Sequence, residues 1–199
     1  MTVHRTGYTF RPATRSVTGW EAVQHALWST TTPVCTLVAP AGAGKTWLVR
    51  DFAQKADKNL VELNFERHPE FARFFGERNP ATVLRAVEAY MGARIHAEDA
   101  LLFLDEIQAA PEVLANLRWF AEEMPELPVV AAGSLLDFVL ADHSFSMPVG
   151  RISYLHLGPM SFEEFLSALG QDGLREFIGE FHPGAVVPDP IHLRLMEFF

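Results

Sequence analysis

Residues 37–49, LVAPAGAGKTWLV, constrain the fold more than any other stretch of the chain. The run leading into it, Val34 to Ala39, is apolar without alternation, which suits a strand buried on both faces. Small residues follow up to Gly44, and from Lys45 onward apolar residues recur at Val49, Phe52, Ala53 and Ala56, a helical spacing. A buried strand that turns through a small-residue loop directly into a helix is the opening of a β-α-β unit, and such units build parallel sheets.

The remainder of the chain repeats that alternation. Strands are expected at 60–65, 101–104, 127–132 and 151–157. A short helix is expected at 19–28, before the first strand, and another opens at Asn79-Pro80, with Asn as cap and Pro at the first position. Further helices start at Pro111, span 135–141, and start at Ser161, where Ser161 and Glu164 form a capping box. Residues 66–78 have no clear period and read as a loop with at most one helical turn, and 142–150 as a polar loop. The expected fold class is therefore α/β, with three layers and a five-stranded, mostly parallel sheet flanked by helices.

The loop itself reads A-x-x-x-x-G-K-T from Ala39, between a strand and a helix, the context that a phosphate-binding loop requires. Ala41, Gly42, Ala43 and Gly44 are small enough for backbone N–H groups to turn inward onto phosphate oxygens. The helix N-terminus adds its positive dipole. Lys45 is placed to reach the β- and γ-phosphates, and the Thr46 hydroxyl to ligate Mg²⁺. The stretch LLFLDEIQ, 101–108, supplies the complement: Asp105 and Glu106 at the C-terminal end of a buried strand, where ligands bind in open parallel sheets. Asp105 is expected to hold Mg²⁺ and Glu106 to activate the water that attacks the γ-phosphate. No N-K-x-D guanine motif and no arginine-rich lid is visible, which speaks against a GTPase and a small-molecule kinase, and Asp followed directly by Glu favours hydrolysis by water. Ser134, in AAGSLL, either senses the γ-phosphate or caps the helix beginning at Leu135. Arg151, in PVGRISYL, is either a surface arginine or a charge acting on the nucleotide of a neighbouring subunit, since the start of a strand is the wrong edge for its own site.

Bulk properties narrow the classes. The net charge is −9, from 16 basic and 25 acidic side chains. Residues 1–20 hold Arg5, Arg11 and Arg15 and no acid, a local +3 that leaves −12 on the rest. An acidic body is a poor default binder of nucleic acid, and the basic arm is a solvated segment or a contact for phosphates or a partner. The single cysteine, Cys35, rules out an internal disulfide. No apolar run has the length of a membrane span and no secretory signal is visible, so the expected location is cytoplasmic.

The order APAGAGKT, FLDEIQ, AGSLL, PVGR and LGPMSFEEFL resembles a bacterial and archaeal family of AAA-type ATPases whose members carry a nuclease-like C-terminal domain. The resemblance covers about residues 15 to 170. It implies that Lys45 and Thr46 are the ATP and Mg²⁺ residues, that Asp105 and Glu106 are the metal and water pair, and that Ser134 is the sensor. Arg151 matches the family's Gly-Arg. The family's loop usually reads more like G-P-R-Q-V-G-K-T, so the present loop is smaller and less charged. On this reading 1–18 is a basic N-terminal arm, 19–182 an AAA-type P-loop ATPase domain, and 183–199 a Pro-rich linker with the start of a truncated C-terminal helical region. The apolar segment Ile191 to Phe199 is expected to dock onto the core, to pair with another copy, or to meet a protein partner.

Overall fold

A computed structural model describes residues 3–5, 33–134, 151–182, 184 and 186–198. The helices expected at 19–28 and 135–141 and the loop at 142–150 lie outside the described residues. The chain divides into two compact units, Thr2–Pro159 and Met160–Phe199. The boundary between the units precedes the helix at Ser161.

The first unit is built on a sheet of six strands: β1 (Val3–Arg5), β2 (Val34–Val38), β3 (Asn59–Asn64), β4 (Ala100–Asp105), β5 (Val129–Gly133) and β6 (Ser153–Leu157). Their order across the sheet is β1-β6-β2-β5-β4-β3. The five strands from β2 to β6 run parallel, as expected. β1, inside the stretch read as an arm, adds a sixth strand antiparallel to β6, with Val3 opposite Leu157. Three residues are too few to show a period, which is why the sequence reading has only five strands.

The strand order matters more than the strand count. β5 lies between β2 and β4, so the strand that ends in Gly133 separates the loop strand from the acidic strand. The register pairs Val38 with Gly133, Ala132 with Asp105, and Asp105 with Asn64. Four strand ends thus share one edge, and every candidate group carried on them meets there.

β2, β4 and β5 are buried along their whole length, as their unbroken apolar runs require. Alternation splits β4: Leu102 and Leu104 join a core that includes Phe75, Val87, Leu117 and Phe120. The other face of β4 carries Leu101 and Phe103, and the same side of the sheet is covered by α1 (Lys45–Lys55), which buries Leu48, Val49, Phe52 and Ala53. The first core is covered by a 3-10 helix at Pro69–Phe75, by α2 (Pro80–Met91), by a second 3-10 segment at Pro111–Asn116 and by α3 (Leu117–Glu123). The 3-10 helix falls where the sequence suggests a loop: its buried residues, Phe71 and Phe75, are four apart in a run too short to display a period. Asn79 caps α2 as expected, its side chain accepting from Thr82 N at 3.0 Å.

Phe103 is fully buried in the central acidic strand. Phe103→Ala is expected to cost about 3–5 kcal/mol, a large part of the total stability of a domain, and a urea unfolding curve reads this as a lowered midpoint with an unchanged slope.

The second unit holds α4 (Phe162–Ala168), α5 (Asp172–Gly179) and α6 (Asp189–Met196). The capping box at Ser161 forms in both directions, with Glu164 N to Ser161 Oγ at 3.2 Å and Ser161 N to Glu164 Oε2 at 2.8 Å. In the C-terminal segment Phe198 meets the Phe165 ring edge-on, while Leu193 and Met196 stay exposed.

Candidate functional site

The loop after β2 turns twice through left-handed backbone, at Gly42 (φ 77°) and Gly44 (φ 85°). A side chain at Gly42 would meet nothing within 4 Å, so conformation and not space demands glycine there. Gly44 is the N-cap of α1 and offers no side chain; the first orphan N–H groups of the helix face the loop instead of a cap.

Lys45 opens α1 and is 5% exposed. Its ammonium folds back onto the loop, donating to Pro40 O at 3.0 Å and Ala39 O at 3.2 Å. Burial lowers its pKa; the negative charges of Glu106 and Asp105 pull in the opposite direction. A buried ammonium whose hydrogen bonds go to carbonyl oxygens can exchange them for an anion's.

Thr46, one residue on, reaches across to the acidic strand. Its hydroxyl donates to Asp105, with Oδ2 at 3.2 Å and Oδ1 at 3.4 Å, joining residues 59 positions apart. Asp105 is 2% exposed. Burial foremost, and then the neighbouring Glu106 charge, raises its carboxyl pKa; hydrogen bonds from Thr46 and Asn64 offset part of the rise. Asn64, at the end of β3, donates through Nδ2 to Asp105 Oδ2 at 3.0 Å, and its Oδ1 accepts from Arg67 N at 2.9 Å. A buried carboxylate that accepts only from one hydroxyl and one amide is a donor environment that suits a hard cation. Among the described residues no group of three or more His, Cys, Asp or Glu stands ready to hold a metal alone.

Glu106 leaves the strand in a left-handed conformation, φ 52° and ψ 44°, which is uncommon for a residue with a side chain. Such backbone costs about 1–2 kcal/mol, and strain of this kind gathers at functional sites. The turn is closed by Ala109 N to Glu106 O at 3.0 Å. Gln108, in the same turn, donates through Nε2 to Glu106 Oε2 at 2.6 Å and lies 3.4 Å from Ser134 Oγ. Ser134 follows β5 and therefore stands between the loop and the acidic pair.

Lys45, Thr46, Asp105, Glu106 and Ser134 thus gather at one sheet edge with the Gly42–Gly44 loop. Arg151 does not join them. It precedes β6 at the opposite edge and pairs with Glu122 at 2.7 Å, and Glu122 also accepts from Arg118 Nε at 2.8 Å. Trp47, next to Thr46 on α1, is 65% exposed. Asn64 and Gln108 are the site's neighbours that the sequence reading leaves out. For Gln108 a signal existed, its place two residues after Glu106; for Asn64 none does without the β3–β4 register.

No curated protein sequence matches the chain. Among solved structures the fold is similar to that of a Walker-type ATPase of Pyrococcus abyssi, with a TM-score of 0.50 at 17% identity; the likeness covers 89% of this chain. The chain spans 61% of the length of that protein. A family profile described as an AAA domain matches residues 31–166, from just before the loop strand to within α4. That match spans well over half of the sequence, and the chain belongs to this family of AAA domains.

Proposed function

We propose that this AAA domain binds ATP with Mg²⁺ and hydrolyses it to ADP and phosphate. The observation that carries the proposal is the meeting of the Thr46 hydroxyl and the buried Asp105 carboxylate at 3.2 Å, at the mouth of a glycine loop beside Lys45. Two oxygen donors of that kind, one neutral and one anionic, suit Mg²⁺ shared with phosphate oxygens. The ion, when bound there, supplies positive charge against the β- and γ-phosphates.

The residues divide the remaining work. The N–H groups of Ala41 to Lys45 cradle the phosphates. Lys45 exchanges its loop carbonyls for β- and γ-phosphate oxygens, a charge-assisted contact in place of a dipolar one. Glu106 accepts a proton from the attacking water as its oxygen bonds to the γ-phosphorus and the bond to the β–γ bridging oxygen breaks. Ser134 contacts the γ-phosphate or the water from between the two strands. Arg151 is assigned no part in this chain's own site, because it lies at the other edge and is engaged by Glu122.

The experiment is phosphate release from Mg-ATP over a range of protein concentrations, with Lys45→Ala as the blank. Removing a charge-assisted contact worth about 1.5–3 kcal/mol is expected to weaken ATP binding by about 10- to 100-fold. A wild-type rate equal to that of the blank would refute hydrolysis by this chain, and equal ATP affinities would refute the site itself.

A further inference from the structure

We infer that Gln108 is a positioning residue, whose carboxamide aims the Glu106 carboxylate at the attacking water and ties that aim to Ser134. The inference rests on the hydrolysis reading above and extends it by one residue and one coupling.

Three observations carry it. First, the Gln108 amide nitrogen stands 2.6 Å from Glu106 Oε2, a short, charge-assisted bond. It occupies one carboxylate oxygen and leaves the other to accept from water. Second, the same nitrogen is 3.4 Å from Ser134 Oγ, so one side chain spans the acidic turn after β4 and the end of β5. Third, the amide has a defined orientation. Its Oε1 is buried, has no hydrogen-bond partner, and faces Gly133. Flipping the amide would set that oxygen against the Glu106 carboxylate, acceptor against acceptor, so the charge fixes the nitrogen on Glu106.

Gly133 completes the arrangement. A Cβ at Gly133 would lie 2.3 Å from Gln108 Oε1, closer than atoms approach. The backbone there is not left-handed, so alanine suits the strand itself and collides only with the amide. Glycine at 133 is thus the space in which the Gln108 amide sits. A glutamate side chain has three rotatable bonds, and pinning it reduces the misaligned population that a general base otherwise samples. With Ser134 in the role proposed above, against the γ-phosphate or the attacking water, a shift of Ser134 on nucleotide binding is passed through one amide to Glu106.

The test is the steady-state kinetics of Mg-ATP hydrolysis by the full chain and its Gln108→Met, Gln108→Ala, Gly133→Ala, Ser134→Ala and Ser134→Ala/Gln108→Met variants. Methionine keeps the length of the side chain and removes the donor. The expected result is a fall in kcat of about tenfold or more for both Gln108 variants, with KM unchanged. Gly133→Ala, which leaves the amide intact but displaces it, should lose kcat in the same way. The double variant should lose less than the product of the two single losses, because both act on one relay. A purely structural role would instead lower the melting temperature and leave the two losses multiplicative. Gln108→Met with wild-type kcat, or a multiplicative double variant, overturns the inference. If wild type hydrolyses ATP, Glu106→Gln does not, and Gln108→Met does so with the wild-type kcat, the inference alone fails. If wild type does not hydrolyse ATP, the hydrolysis reading fails and takes the inference with it.

Discussion

Glu106→Gln is expected to slow phosphate release by about 10²- to 10⁴-fold, the usual worth of a positioned general base, while ATP still binds. The substitution keeps the shape and removes the charge, so the left-handed turn at 106 and the Ala109 N to Glu106 O bond that closes it have no reason to open. The contacts proposed to hold phosphate, from Lys45 and the loop, lie on a different element. Loss of kcat with retained affinity means that the residue acts only on the way to the transition state. Release of labelled phosphate gives the first quantity and displacement of a fluorescent ATP analogue the second. The competing view of the domain, an ATP-gated switch with little turnover, needs Lys45 and Thr46 but tolerates Glu106→Gln. A variant as fast as wild type would favour that switch.

The phosphate loop was legible in the sequence because all its parts are local: a strand, a turn of small residues and a helix within thirteen positions. The acidic pair was legible for the same reason, as two acids at the end of four apolar residues. What pattern cannot show is which strand ends are neighbours. Asp105 and Thr46 meet across 59 positions, and the insertion of β5 between β2 and β4 is a property of strand order alone. Asn64 enters the site through pairing with Asp105 in the β3–β4 register. Gln108 enters through a turn that depends on the unusual conformation of Glu106. That Arg151 stands at the wrong edge for its own nucleotide follows from the direction of a parallel strand alone, while its Glu122 partner is visible only in the fold.

Asp105→Asn carries the second large effect, and it has two opposed parts. Turnover should fall to the Lys45→Ala level, because the amide cannot supply the charge that a divalent cation requires of this position. Stability without nucleotide should rise. Burial, together with the adjacent Glu106 charge, holds the Asp105 carboxyl above the usual carboxylate range. The folded state therefore binds this proton more readily than the unfolded chain does, and stability falls as pH rises through the interval between the two pKa values. Above that interval the ionised carboxylate is a standing cost to the fold, and asparagine removes it while still able to accept from Asn64 Nδ2. In a chain of this size a gain of 1 kcal/mol raises the melting temperature by about 2–4 °C. The gain should be full at neutral pH and shrink as acid protonates Asp105 in the wild type. Paired melting curves of wild type and variant, taken without nucleotide from neutral to acidic pH, measure this directly. A variant that melts lower than wild type at neutral pH would mean that the Thr46 and Asn64 hydrogen bonds outweigh the cost of burial, and the carboxylate would then be a structural anchor and not a charge kept for a cation.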